Sequence, residues 1–140
     1  MMFVRLSRDS VWLLRLPDPM LSRIAPLPVG RGWSYEVKWD GFRAIVSTED
    51  GLRVRSRRGW NMTPVLPELR KLPTGLLLDG ELVGWKGKVP WFPHVCRRIL
   101  NHDLTVPLTF VVFDVLRIDG TNVTDRPFAA RRELLESLDQ

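Results

Sequence analysis

The sequence predicts an α+β domain built on an antiparallel sheet. Several short segments alternate apolar and polar residues, which is the pattern of half-buried strands. Short turns such as Asp50-Gly51 and Asp119-Gly120 end two of these segments, and other segments carry apolar residues at helical spacing. Strands linked by tight turns, with helices between them, are typical of this fold class. The 140 residues are enough for one domain with a hydrophobic core.

The first half of the chain contains a lead-in and three predicted strands. Four prolines and a glycine within residues 17–30 predict an extended segment without regular structure. Residues 33–40 alternate over eight positions, so their aromatic residues are expected in the core and Glu36, Lys38 and Asp40 on the opposite face. Residues 42–48 and 52–57 are predicted to form a hairpin.

The second half alternates predicted helices with two long strands. Periodicity predicts a short helix over 64–72, a strand over 76–85 that returns after Gly87, a helix over 92–101, a strand over 108–118 and an amphipathic helix over 126–138. No linker is long enough to divide the chain into two domains.

Composition restricts the environment and the partners. The net charge is +5, and 17 of the 21 basic residues are arginine, which grips phosphate bidentately. The excess therefore fits nucleic acid or nucleotide as a partner, although genome composition explains arginine usage equally well. The single cysteine, Cys96, excludes an internal disulfide and fits a reducing cytoplasm.

Residues 36–43, Glu-Val-Lys-Trp-Asp-Gly-Phe-Arg, carry the first group of residues that could perform chemistry. A lysine becomes a nucleophile only after losing its proton, and flanking carboxylates oppose that loss. A divalent cation bound by the carboxylates would change this balance. The pattern therefore makes chemical sense with a metal and a phosphate-bearing ligand. The alternative is a solvent-facing ladder of ion pairs around Lys38.

Three further segments are ambiguous when taken singly. Asp79 and Glu81 share a strand face and could hold a ribose hydroxyl or a metal, unless Asp79-Gly80 is a turn at a strand end. Phe113 could stack on a base or pack in the core. The last segment is a row of alternating arginines that could bind phosphates or protect an edge strand by charge: Arg53, Arg55 and Arg57.

The order of these segments resembles the adenylation (nucleotidyltransferase) domain of ATP-dependent DNA ligases, in particular the bacterial end-joining and repair type. The motifs are Lys-x-Asp-Gly-x-Arg at 38–43, Ser-Arg-x-Gly at 56–59, Leu-Asp-Gly-Glu-Leu-Val at 78–83 and Phe-Asp-Val-Leu at 113–116. Pro19-Met20-Leu21, Phe92-x-x-Val-Cys-x-Arg98 and Arg131-Arg132-x-Leu-Leu resemble smaller features of the same group. The resemblance covers roughly residues 19–138 and implies an antiparallel-sheet, ATP-grasp-like nucleotidyltransferase fold.

The resemblance also implies a role for each matching residue. Lys38 would attack the α-phosphate of ATP and hold AMP covalently, and Asp40 would bind Mg²⁺ or Mn²⁺. Other positions would hold the nucleotide: Glu36 the adenine amino group, Arg43 the ribose side and the DNA end, Arg57 phosphates, Glu81 the ribose hydroxyls and Phe113 the adenine ring. AMP would pass to a 5′-phosphate of nicked or broken double-stranded DNA, followed by sealing in repair or recombination.

The family pattern continues beyond the motifs present here. It implies a strand with a metal-binding glutamate, a Lys-x-Lys strand that grips the α-phosphate, and a separate OB-fold domain. The sequence ends at Gln140 before these elements, and Lys86-Gly87-Lys88 lies in the wrong place to replace them. The domain is therefore expected to be incomplete, with a C-terminal ligase half or repair proteins as partners. A binding remnant without turnover and a fragment unable to fold alone remain alternatives.

Overall fold

The computed structural model describes residues 16–138 and places their strands in one antiparallel sheet. The strands are β1 (Phe42–Ser47), β2 (Arg53–Ser56), β3 (Leu76–Lys86), β4 (Val89–Pro90), β5 (Leu108–Ile118) and β6 (Thr121–Asn122). Their order is β2-β1-β3-β5-β6, and β4 pairs with the end of β3. Each strand pairs with its neighbours in antiparallel register, which confirms the predicted fold class.

Two α-helices accompany the sheet, α1 (Phe92–Leu100) and α2 (Phe128–Ser137). The single helix predicted over 64–72 is wrong, because the chain forms two 3₁₀ turns there, Thr63–Val65 and Pro67–Lys71. Pro67 explains the break, since its ring removes the N–H that a continuous helix would use at that position. Within residues 16–138, no helix has the length and apolar character needed to cross a membrane.

The strand predicted over residues 33–40 is also wrong. These residues have no regular secondary structure, and Trp33, Tyr35 and Val37 are 59%, 61% and 66% exposed instead of packing in the core. Alternation shows that a segment can form a strand, but burial also needs a neighbouring strand, and no described strand pairs with this one. Of the four alternating apolar residues only Trp39 is half-buried, and its ring forms a T-shaped pair with the Trp85 ring at a centroid distance of 6.0 Å.

The hydrophobic core lies on the face of the sheet that the helices and 3₁₀ turns cover. Val95 and Ile99 of α1 pack there against β3. Leu134 and Leu135 of α2, which lies against β5, are partly buried and pack against the same core. Apolar burial of this kind contributes about 25 cal/mol per Å² and is the main stabilising term of the domain. The sheet residues of this core are Ala44, Val46, Val54, Leu76, Leu78, Leu82 and Val115.

The opposite face of the sheet combines a small apolar cluster with charged residues. Leu16 packs there against Ile45 and Leu77. Further along β1 and β3, the register places Arg43 opposite Glu81 on this face. Because side chains alternate along a strand, the strands that contribute core residues to one face also place these charged residues on the other face.

Arg98 of α1 is buried and joins three separate segments. Its side chain is 5% exposed, and its Nη2 pairs with both carboxylate oxygens of Glu68 at 2.8 and 2.7 Å. The same guanidinium donates to the carbonyl oxygens of Val65, Leu104 and Val106. Arg98 therefore fixes α1 to both 3₁₀ turns and to the loop before β5.

Candidate active site

A cavity of about 830 Å³ brings together residues from all four sequence motifs. Seven of its lining residues are those that the sequence predicted as site residues: Glu36, Lys38, Asp40, Arg43, Arg57, Glu81 and Phe113. They come from the segment before β1, from β1 itself, from the turn after β2, and from β3 and β5. The volume lies in the range of small-molecule and cofactor pockets.

Gly41 fixes the lysine-bearing segment against the sheet. Its Cα lies so close to β3 that a Cβ at this position would overlap the backbone carbonyl of Leu82. Only glycine permits this approach, because it has no Cβ. Among the described residues the segment carrying Lys38 and Asp40 has no strand partner. The close approach of Gly41 and a backbone hydrogen bond from Gly41 to the Glu81 carboxylate fix the segment beside Glu81.

We expect Gly41→Ala to weaken both the site and the fold. The new Cβ must push against Leu82 backbone, which is expected to cost about 1–3 kcal/mol of unfolding free energy. Displacing Lys38 by about 1 Å is expected to slow its reaction about 100-fold. Thermal melts and a protein-labelling assay with ATP labelled in its α-phosphate measure the two effects.

Gly87→Ala is the matched control for this change. Its added Cβ would meet no atom within 4 Å, so only a φ of +61° opposes the substitution. Gly87 lies outside the residues that line the cavity, and labelling should therefore stay at the wild-type rate. Equal labelling by Gly41→Ala and wild type would contradict the proposed role of the close approach.

The ladder of ion pairs considered for residues 36–40 does not form. Among the described residues, Lys38 has no ion pair with Glu36 or Asp40. Glu36 instead lies 3.5 Å from the guanidinium of Arg132 in α2. The Lys38 side chain is exposed in the cavity, and no carboxylate within residues 16–138 forms an ion pair with its ammonium group.

Arg43 connects β1, β3 and β5 on the site face. Its Nε and Nη2 donate to the two carboxylate oxygens of Asp79 at 2.5 and 2.7 Å. This hydrogen bond to Asp79 raises the pKa of Arg43 despite partial burial. The guanidinium also lies 4.6 Å from the centroid of the Phe113 ring, within cation–π distance. Asp79 is 4% exposed inside a continuous strand, so the alternative of a turn at Asp79-Gly80 is wrong.

An irregularity in β5 turns Phe113 toward this arginine. Gly80 pairs with Val112 and Asp79 pairs with Asp114, so Phe113 has no partner residue on β3. Such a bulge re-aims a side chain and is frequent beside active sites. The neighbouring Asp114 is held by Arg131 of α2 through two hydrogen bonds of 2.8 and 2.9 Å. The aromatic ring therefore belongs to the cavity and not to the main core.

Glu81 is half-buried, and this burial governs its titration. Desolvation raises the pKa of Glu81 above its ordinary value of 4.5, and the lowering effect of the Arg43 charge does not cancel it. The carboxylates of Asp40 and Asp79 also raise it. An acid whose pKa is raised by folding stabilises the fold below its unfolded pKa, and the contribution is lost as pH rises through the folded value.

We therefore expect Glu81→Gln to change the pH dependence of stability. The variant and wild type should have similar melting temperatures below about pH 4, where the carboxyl is protonated, and the variant should become the more stable of the two as the pH rises toward about 8. The reason is that only the wild type must keep a charge partly out of water at high pH. A variant that is less stable than wild type at neutral pH would show that attraction to Arg43 outweighs burial.

The predicted row of three arginines is wrong as a continuous strip. β2 ends at Ser56, and the first two arginines are engaged elsewhere: Arg53 with Asp50 at 3.1 Å, and Arg55 with Asp18 at 2.6 Å. Only Arg57, which lies in the following turn, lines the cavity. Strand alternation could not anticipate this because the strand ends before Arg57.

Asp40 is the residue that the sequence assigns to a metal, and it lies near Glu81 in the cavity. Among the described residues, no cluster of three or more histidine, cysteine, aspartate or glutamate side chains could hold a metal ion. Mg²⁺ commonly uses only one or two carboxylates together with substrate phosphates. The carboxylates of Asp40 and Glu81 have the hard oxygen donors that this mode requires.

Several residues of the cavity were not predicted from the sequence. Ser22, Arg58, Trp60 and Phe92 also line it. Phe92 packs against Phe42, with ring centroids 5.7 Å apart. The signal available in the sequence for Trp60 was a tryptophan that closely follows two arginines. Its position at the cavity, however, depends on the turn after β2. Lys86 and Lys88 are not among the lining residues.

Both the family profile and the related sequences that match this chain are those of DNA ligases. The sequence profile described as "ATP dependent DNA ligase domain" matches residues 19–139. The multifunctional non-homologous end joining protein LigD of Mycolicibacterium smegmatis is 34% identical over 113 residues, which cover 76% of this chain and 14% of that protein. DNA ligase C2 of the same organism is 35% identical over 140 residues, covering 86% of this chain and 37% of that one.

A solved structure has the same fold. The crystal structure of the ligase domain from Mycobacterium tuberculosis LigD matches with a TM-score of 0.64 and 33% sequence identity. The match covers 74% of this chain and 36% of that chain. The chain therefore spans well under half of these relatives, and its antiparallel sheet is of the nucleotidyltransferase type.

Proposed function

The chain belongs to the family of ATP-dependent DNA ligase domains, and we propose that its cavity performs the adenylation step of ligation. Residues 19–138 would form the part of the adenylation domain that contains the lysine nucleophile. The observation that carries this proposal is the convergence of seven predicted residues, six of them from four separate motifs, on one cavity of about 830 Å³. A binding remnant without turnover has no observation of its own in its favour.

In the proposed step, the Lys38 Nζ attacks the α-phosphate of ATP. A P–N bond forms, the bond from the α-phosphorus to the bridging oxygen breaks, and pyrophosphate leaves with the electron pair while lysine gives up a proton. An ammonium group cannot attack, so the reacting lysine must be unprotonated. The absence of a direct carboxylate partner for Lys38 among residues 16–138 supports this role, because an ion pair would hold the proton.

The remaining residues would bind and orient the nucleotide. Phe113 offers an aromatic face to adenine, Glu36 its carboxylate to the amino group, and Glu81 its carboxylate to the ribose hydroxyls. Arg57 would neutralise phosphate charge, and positioning of this kind is the larger part of catalysis of phosphoryl-type transfers. Asp40 would hold Mg²⁺ or Mn²⁺, which neutralises charge on the phosphates when bound.

The DNA steps are a further part of the proposal. AMP would pass from Lys38 to the 5′-phosphate of nicked or broken double-stranded DNA, and the strand would then be sealed during repair. Arg43 would serve the ribose and the DNA end, although in this structure it is engaged by Asp79 and Phe113. The remainder of a ligase or a repair protein would be the partner for sealing.

The test of the proposed function is covalent labelling of the protein. We expect the full chain, incubated with Mg²⁺ and ATP labelled in its α-phosphate, to retain label through denaturation. Added pyrophosphate should remove the label because the step is reversible, whereas ATP labelled in its γ-phosphate should give none. Equal labelling by the two forms, or no labelling by either, would contradict the proposal.

A further inference from the structure

The turn after β2 places three large side chains beside the cavity, and two of them have no assigned role. Arg57, Arg58 and Trp60 all line the cavity and are exposed, the tryptophan by 48%. Arg57 is already the proposed phosphate ligand. Arg58 and Trp60 follow from the same turn, in which Gly59 has a φ of +86° that favours glycine.

The shape of this turn does not depend on those side chains. The Gly59 N–H donates to the Ser56 carbonyl, and the Trp60 N–H donates to Ser56 Oγ, both at 2.9 Å. The Ser56 N–H donates in return to the Trp60 carbonyl at 2.9 Å. Backbone and serine groups thus define the turn, and the Arg58 and Trp60 side chains are left available for a ligand.

The arginines of this turn differ from those nearby in whether a carboxylate pairs with them. Arg43 and Arg55 are each held by a carboxylate at 2.5–2.6 Å. Arg57 and Arg58, by contrast, have no ion pair within the described part of the chain. Trp60 likewise has no aromatic or cation–π contact among these residues. A large exposed aromatic ring beside uncompensated cations is an informative departure from an ordinary protein surface.

The chemistry that matches this surface is a nucleic-acid strand. Guanidinium groups bind the phosphates of a nucleic-acid backbone bidentately. The face of a tryptophan ring stacks on a base that is not stacked within the double helix. Building on the proposed function, we propose that Arg58 and Trp60 bind the DNA strand at a break. Arg58 contacts a backbone phosphate of that strand, and Trp60 stacks on an unpaired or terminal base.

Binding of fluorescent DNA, followed by anisotropy at low salt, tests this inference on the full chain. The DNA probes are a nicked duplex, a duplex with a 3′ overhang and an intact duplex. The variants are Arg58→Ala, Trp60→Ala and Trp60→Phe. Arg70→Ala is the charge-matched control, since Arg70 is exposed on the second 3₁₀ turn and does not line the cavity.

We expect Arg58→Ala to weaken binding of all three probes and to lower the salt slope by about one unit. Trp60→Ala should weaken binding of the nicked and overhang probes about tenfold, with a smaller effect on intact duplex, because intact duplex offers few unstacked bases. Trp60→Phe should retain most of the affinity, and Arg70→Ala should bind as wild type does. Circular dichroism melts establish that each variant is folded.

The inference is overturned if folded Arg58→Ala and Trp60→Ala bind every probe like Arg70→Ala, or if the wild type binds no probe. An equal loss on all probes for Trp60→Ala would overturn the stacking role. The protein-labelling assay on wild type is run in parallel. If the wild type acquires no label, the proposed adenylation step is contradicted. The anisotropy series still decides separately whether this turn binds DNA.

Discussion

Lys38→Arg is expected to abolish covalent labelling by ATP while leaving the fold intact. The arginine keeps a positive charge, but a guanidinium stays protonated and cannot act as the nucleophile. Loss of the attacking group should reduce labelling by at least about 10⁴-fold. Because Lys38 is exposed and has no ion pair in the described part of the chain, the free energy of unfolding should change by less than about 0.5 kcal/mol.

The matched control for this variant is Lys88→Arg. Lys88 is exposed at the turn between β3 and β4 and does not line the cavity. The Lys88→Arg variant carries the same chemical change outside the site, so its labelling should equal that of wild type. Parallel melts separate loss of reaction from loss of structure. If Lys38→Arg were labelled as well as Lys88→Arg, another residue would be the nucleophile.

Arg98→Met is expected to lower the free energy of unfolding by about 3–5 kcal/mol. The methionine fills similar space but leaves Glu68 and three backbone carbonyls without the donor that satisfies them. A loss of this size should reduce the melting temperature by roughly 10 °C or more. Thermal and urea unfolding of the two proteins under the same conditions measures the difference.

Arg97→Met is the matched control, because it removes an arginine from the adjacent position of α1. Arg97 pairs with Asp103 at 2.6 Å, but its side chain is 53% exposed. A surface pair of this kind contributes less than about 1 kcal/mol. Equal destabilisation by the two variants would show that helix propensity or net charge, and not the buried network of Arg98, determines the effect.

Local patterns predicted most elements of the fold, and the errors have physical causes. The long apolar or alternating runs 76–85 and 108–118 became β3, which is buried along most of its length, and β5, which is mostly half-buried. Residues 33–40 show the same alternation, yet they remain irregular, since strand formation also requires a partner distant in sequence. Pro67 likewise divided a helical pattern that apolar spacing alone predicted as continuous.

Prediction of the site followed a different logic. Individually, Lys38, Glu81 and Phe113 each had an ordinary structural explanation, and only their order along the chain indicated a common site. That order could not indicate how they are positioned. The pairing of Arg43 with Asp79, the bulge at Phe113 and the location of Trp60 all depend on register and turn geometry. These are tertiary features, determined by residues far apart in sequence.

Mapping the attached nucleotide is the most direct test of the adenylation mechanism. The chain has four lysines, Lys38, Lys71, Lys86 and Lys88, and only Lys38 lines the cavity. After incubation with ATP and Mg²⁺, peptide mass spectrometry should find AMP on the peptide containing Lys38 and on no other. AMP on Lys71, Lys86 or Lys88, or a protein that carries none, would contradict the assignment of this cavity as an adenylation site.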